Sequence, residues 1–124
     1  MAKILYIEDI QDNITLVEKI VTSRGHEFLY AKDAEKGLEM AFSSTPDLIL
    51  LDLGLPDADG QTLSVWLKGN PALENIPIIV LTAWPEEVVQ HTVDAYNLNG
   101  YLCKPFNMRD LLNIIDKTLG AKAV

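Results

Sequence analysis

Five side chains in this sequence share a placement that suits chemistry: Glu8, Asp9, Asp52, Thr82 and Lys104. Each follows on a short apolar run. Glu8-Asp9 follow Ile4-Leu5-Tyr6-Ile7, Asp52 follows Leu48-Ile49-Leu50-Leu51, Thr82 follows Ile78-Ile79-Val80-Leu81, and Lys104 follows Gly100-Tyr101-Leu102-Cys103. Short apolar runs bounded by turn formers read as buried strands of a parallel sheet. The residues that end such strands meet along one carboxyl edge, where open α/β sheets place their ligands. Acids gathered in one shallow site disfavour joint ionisation. A hard divalent cation and the Lys104 ammonium are the two things that can hold them together. Mg2+ suits one or two carboxylates with waters and a phosphoryl oxygen. The pattern points to phosphoryl chemistry at a carboxylate.

The rest of the chain supplies the elements that position these residues. A helix is expected from Asp12 to Arg24, with Leu16, Val17, Ile20 and Val21 on its inner face, Ile14 at the edge of that stripe, and Gly25 as its stop. Glu27–Ala31 reads as a less apolar strand nearer a sheet edge. Asp33 is a good N-cap for a helix to about Ser43, with Ala34, Leu38, Ala41 and Phe42 inward. A third helix, Gln61 to about Lys68, carries Leu63, Trp66 and Leu67. A fourth starts at Pro85 with Glu86 and Glu87 beside its positive dipole end. The last runs from about Met108 to Leu119 and is expected to stop at Gly120. Strands alternating with helices give an α/β fold, a five-stranded parallel sheet with helices on both faces. The whole of residues 1–124 reads as one domain.

Composition narrows the function classes. A formal net charge of −8 argues against direct DNA binding, which needs Lys and Arg to neutralise phosphates. The single Cys103 forms no internal disulfide, and it reads as a small apolar packing residue. No secretory signal or membrane span is visible, so the expected location is cytoplasmic and off the membrane. Met1 directly before the first strand, and an end soon after the last helix, favour a free-standing protein over a module of a larger one.

Taken together, Glu8-Asp9, the segment Asp52…Pro56-Asp57-Ala58-Asp59-Gly60, Thr82-Ala83 and Tyr101…Lys104-Pro105-Phe106 resemble the receiver domain of a two-component response regulator, of the single-domain, chemotaxis-regulator-like type. The resemblance covers nearly the whole chain. It implies a flavodoxin-like, doubly wound sheet of order 2-1-3-4-5 and a phosphorylation-activated signalling switch, not an enzyme beyond its own phosphorylation and dephosphorylation. Asp52 would accept a phosphoryl group from phosphohistidine. Asp9, Asp52 and the Gly54 carbonyl would hold Mg2+, with Glu8 acting largely through water. Lys104 would pair with Asp52 and then with a phosphoryl oxygen. Thr82 and the backbone N–H groups near Ala83 would take other oxygens, and the Lys104-Pro105 peptide would be cis. Thr82 and Tyr101 would move together as the switch. The implied partners are a histidine kinase or histidine phosphotransfer protein and a downstream protein target. Gly54 and Trp84 would tune access of water to the acyl phosphate.

Blander readings exist for each residue taken singly: a helix-terminal acid pair at Glu8-Asp9, a surface lysine at Lys104, a strand-end hydroxyl at Thr82, a core aromatic with a wet hydroxyl at Tyr101. Asp57-Ala58-Asp59-Gly60 lacks the ligand spacing of a calcium loop and reads as a turn. A flavin-binding flavodoxin would need a phosphate cradle where Glu8-Asp9 would repel one. An Asp-nucleophile phosphohydrolase would need a second carboxylate two residues on, where this chain has Gly54. A phosphorelay intermediate, passing its phosphate onward, is the alternative within the receiver reading. It would dock at an apolar rim of Ile10, Ile14, Pro105 and Phe106. A receiver module excised from a larger regulator or hybrid kinase is the other.

Overall fold

A computed structural model describes residues 2–123. In chain order the elements are β1 (Lys3–Ile7), α1 (Gln11–Ser23), β2 (Glu27–Ala31), α2 (Ala34–Ser44), β3 (Leu48–Leu51), α3 (Gly60–Lys68), β4 (Ile78–Thr82), α4 (Glu86–Ala95), β5 (Gly100–Cys103) and α5 (Met108–Ala123). All pairings in the sheet are parallel, and the strand order is β2-β1-β3-β4-β5. The expected order is borne out.

The strands bury both faces, and their alternation divides the interior into two cores. Leu5, Ile7, Ile49, Leu51, Ile78 and Val80 point to one side, where they meet Ala34 and Ala41 of α2, Leu63 and Leu67 of α3, and Val89 and Val93 of α4. Ile4, Tyr6, Leu48, Leu50, Ile79 and Leu81 point to the other. There they meet Ile14, Val17, Ile20 and Val21 of α1 and Leu111, Leu112 and Ile115 of α5.

The strand order reverses between β1 and β3. Ile7 pairs with Leu51, and the Asp52 N–H donates to the Ile7 carbonyl at 3.1 Å, so Glu8 and Asp52 leave the sheet side by side at the switch point. At the other side of the site Thr82 pairs with Cys103. The Lys104 N–H donates to the Thr82 carbonyl at 2.6 Å, which brings Lys104 up beside it.

Several helix-face expectations need correction. Ile14 is buried and Leu16 is 48% exposed, the reverse of the expected order, and Phe42 and Trp66 are exposed although both read as inward. At about 100° per residue, each of these three exposed residues lies roughly a quarter-turn or more from the centre of its helix's buried stripe. The stripes are set by Ile14, Val17 and Val21 in α1, Gly37 and Ala41 in α2, and Leu63 and Leu67 in α3. Gly120 does not stop α5, which continues to Ala123. A glycine ends a helix by adopting a left-handed φ, as Gly25 does at 84° after α1, and Gly120 has no such φ.

The exchange of Ile14 and Leu16 has a direct test. Ile14→Ala is expected to destabilise the protein by about 2–4 kcal/mol in urea unfolding, whereas Leu16→Ala stays within about 0.5 kcal/mol. Equal losses would contradict the observed packing.

Candidate functional site

Glu8 is the most deeply placed acid of the site, with no exposed surface. Tyr6 and Glu8 lie two apart along one strand direction and so fall on one side of it. The Tyr6 hydroxyl donates to Glu8 Oε1 at 3.0 Å. Asn13 Nδ2, from the first turn of α1, donates to the same oxygen at 2.8 Å, and Lys104 Nζ does so at 2.8 Å. The Asp9 N–H donates to Oε2 at 3.1 Å. A buried carboxylate is costly unless it is paired and hydrogen-bonded, and here both oxygens are.

Asp52 is different. Its side chain is 13% exposed, and its Oδ1 lies 3.9 Å from Lys104 Nζ. Lys104 therefore pairs most closely with Glu8 rather than with Asp52. The physical reason is that the fully buried Glu8 has more to gain from a cation than a carboxyl that can instead keep a proton. Burial pushes the Asp52 carboxyl up to about 6, helped by the hydrogen bond and charge of Glu8, while the Lys104 charge and the Gly54 N–H pull the other way. Burial also works against the Glu8 charge. Hydrogen bonds from Lys104, Asp52 and Asn13, with the Lys104 charge, outweigh it and hold that carboxyl below its ordinary range. Glu8 is thus held as the anion, and Asp52 is the readier of the two to take up a proton as pH falls.

Asp9 is exposed at the mouth. One carboxylate oxygen from each of Glu8, Asp9 and Asp52 can be chosen such that all lie within 4.8 Å of one another. A set of hard oxygen donors at this spacing fits Mg2+. Gly54, exposed just beyond Asp52, forms an isolated antiparallel bridge with Asp59.

On the other side of the site Thr82 is buried, and its Oγ1 accepts the Trp84 N–H at 3.1 Å. Ala83 is exposed beside it. The Lys104-Pro105 peptide is cis, as the resemblance implies. Tyr101 lies partly exposed, with its ring against the core that contains α4 and its hydroxyl donating to Glu86 at 2.9 Å. That hydrogen bond leads in holding its phenol above the ordinary range. An apolar recess of about 350 Å3 opens beside Lys104, lined by Leu16, Val17, Ala83, Pro105 and Phe106 among others. Leu16, not the buried Ile14, belongs to this rim.

The structure therefore brings Glu8, Asp9, Asp52, Gly54, Thr82, Ala83 and Lys104 to one edge, with Tyr101 set back within β5, three residues before Lys104. Sequence reasoning missed Tyr6 and Asn13, the partners of Glu8. The signal for Tyr6 was present, since a residue two before a buried strand-end acid shares its side.

Comparison with known proteins identifies the family. The model of the response regulator receiver domain matches residues 4–116. The polar-differentiation response regulator DivK of Brucella anthropi is 27% identical over 117 residues, covering 94% of this chain and 95% of its own. The chemotaxis protein CheY4 of Vibrio cholerae has a solved structure similar at a TM-score of 0.88 and 26% identity, covering 94% of this chain and 98% of that one. The receiver domain of the sensor histidine kinase PA1611 of Pseudomonas aeruginosa, solved with a magnesium ion coordinated in its active-site cleft, gives a TM-score of 0.88 and 28% identity over 96% of this chain and 98% of its own. This chain belongs to the response regulator receiver domain family and is a phosphorylation-activated switch of two-component signalling.

Proposed function

We propose that Asp52 is the phospho-acceptor of this receiver. The observation that carries the reading is its place: a partly exposed carboxylate at the sheet's switch point, with a buried ion pair behind it and an acid at the mouth. An Asp52 oxygen attacks the phosphorus of a phosphohistidine. The new P–O bond forms as the P–N bond breaks, and the imidazole nitrogen leaves with the bonding pair and takes a proton from solvent. Lys104 swings from Glu8 toward a phosphoryl oxygen, a short move because it already lies between the two acids. The Thr82 hydroxyl proton, unused by the bond from Trp84, donates to a second oxygen, and backbone N–H groups near Ala83 take others. Asp9, Asp52 and the Gly54 carbonyl would hold Mg2+, with Glu8 bonded to its waters. Bound there, Mg2+ supplies the positive charge that phosphoryl transfer needs on its oxygens.

The reading extends to partners. A histidine kinase or histidine phosphotransfer protein donates the group, and the apolar recess at Leu16, Pro105 and Phe106 suits a helical hairpin of that donor or of a relay acceptor. A downstream protein reads the face made by α4, β5 and α5, where release of Tyr101 from Glu86 changes the surface. The population of the two packings is biased by the added charge. Beyond its own phosphorylation and dephosphorylation the chain does no sustained turnover, since Gly54 offers no second carboxylate. Among the described residues no helix is long and apolar enough to cross a membrane.

Incubation of the protein with a small-molecule phosphodonor and Mg2+ is expected to add one phosphoryl group, and Asp52→Asn to abolish it. Labelling of the variant at a comparable rate would refute the assignment. The raised Asp52 carboxyl makes a second prediction. Mg2+ competes with its proton, so affinity measured by calorimetry is expected to be level above pH 7 and to weaken by up to about tenfold per pH unit below about 6. A pH-independent affinity between pH 5 and 8 would count against Asp52 as a ligand. A third concerns stability without metal. The folded chain keeps the Asp52 proton between its ordinary value of 3.8 and about 6, so stability is lost as pH rises through that window. Asp52→Asn is therefore expected to stabilise the protein at pH 8, by on the order of 2 kcal/mol, and to have little effect at pH 4. An equal effect at both pH values would exclude this origin.

A further inference from the structure

The turn after Asp52 contains a residue whose contacts reach well outside it. Asp57 lies exposed at the tip of the β3–α3 loop, which is closed below by the Gly54–Asp59 bridge and by the Gly60 N–H donating to the Leu53 carbonyl at 2.9 Å. Its carboxylate accepts the Ala34 N–H at 2.8 Å and the Glu35 N–H at 3.0 Å, both at the start of α2. Those N–H groups belong to the first turn of a helix, where they have no intrahelical partner. The next amide, Lys36, is capped locally by Asp33 at 2.7 Å. One helix end is thus capped by two carboxylates, one from its own N-cap and one from a loop more than 20 residues away.

The first turn of α2 is itself fixed to the site. A Cβ placed on Gly37 would lie 2.7 Å from the Ile7 side chain, so α2 sits hard against the last residue of β1, directly before Glu8-Asp9. The other end of the loop is equally tight. A Cβ on Gly60 would meet the Asp52 carbonyl oxygen at 2.7 Å and Leu53 Cα at 2.8 Å. Between these two anchored points Gly54 is exposed, and a Cβ there would touch nothing within 4 Å. Side-chain packing does not reach Gly54, which is held through its bridge to Asp59 and so depends on what anchors the rest of the loop.

We propose that Asp57 is a positioning residue for the metal- and phosphoryl-binding site: its carboxylate ties the loop carrying Gly54 to α2, and through α2 to the strand end carrying Glu8 and Asp9. The Asp52 N–H to Ile7 carbonyl bond sets the spacing of the two strand ends, and the tie holds the Gly54 loop in place against them before any ligand arrives. A helix cap alone would need no such reach, because Asp33 shows that a local residue can serve. The Ala34 N–H leads in holding the Asp57 carboxyl below its usual range, consistent with a charged link at neutral pH. This proposal rests on the metal-binding reading above.

Asp57→Ala and Asp33→Ala each remove one carboxylate from the same helix end, and only the first frees the loop. Both are compared with the wild type by urea unfolding, Mg2+ titration calorimetry at pH 7.5, and amide hydrogen exchange at Gly54 and Leu55 without metal. Asp57→Ala is expected to weaken Mg2+ binding by about tenfold and to speed loop exchange, while Asp33→Ala leaves both within about twofold of wild type for a similar loss of stability. Equal effects of the two variants on Mg2+ affinity, or unchanged Mg2+ binding in Asp57→Ala, would overturn the proposal. Failure of the wild type to bind Mg2+ would sink the metal reading instead, and loop exchange without metal then decides the tie: unchanged exchange in Asp57→Ala overturns it. If Asp57→Ala does not fold, Asp57→Asn, which keeps one acceptor oxygen and replaces the other with an NH2 donor, carries the same comparison with smaller shifts in the same direction.

Discussion

The whole carboxyl edge of this sheet depends on one buried anion. Glu8 is out of contact with solvent, and a carboxylate there survives only because Lys104, Asn13, Tyr6 and the Asp9 N–H converge on it. Lys104 comes from the end of β5, 96 residues along the chain, so the bond spans the sheet from its middle to its far side. It closes the site from behind and leaves Asp52 facing outward. Breaking such a pair by removing one partner strands the other as an uncompensated buried charge, a loss larger than the pair's own net contribution. The arrangement is costly in stability and is retained where a charge must be held ready. Here the ready charge is a lysine poised between two acids.

The same pair explains why neighbouring acids behave unlike one another. Glu8 takes the cation and keeps its charge; Asp52, a little further from Lys104 and next to an anion, is left reluctant to ionise. On the proposed reading, a divalent cation would neutralise the crowded acids and a phosphoryl group would give the lysine an unshared partner, so the two ligands would relieve opposite halves of this tension.

Much of this was legible from the sequence because its strongest signals are local. Apolar runs that end in polar residues name both the strand and its edge, so Glu8, Asp52, Thr82 and Lys104 fall together on sequence alone. The strand order came from the family resemblance. What remained hidden depends on distance in space. That Lys104 prefers Glu8 to Asp52 follows from relative burial, which no spacing reports. That Leu16 faces outward and Ile14 inward depends on where the sheet lies against α1, since both are apolar and only two residues apart. Asp57 read as a turn residue because its partners, Ala34 and Glu35, stand far upstream in the chain. Gly120 resembled a stop because glycine's identity is visible and its backbone angle is not.

The division of the interior into two cores has a consequence for how such a molecule can be put to use. Glu8, Asp9, Asp52, Thr82 and Lys104 are carried on or just beyond strands, and the strands are clamped from both sides by separate sets of helices. The outward surfaces of those helices, where Leu16, Trp66 and Val88 stand exposed, take no part in either core. They can change one side at a time without disturbing the packing opposite or the acidic edge of the sheet. A new recognition surface can thus be written on either set of helices while the strand ends keep their arrangement.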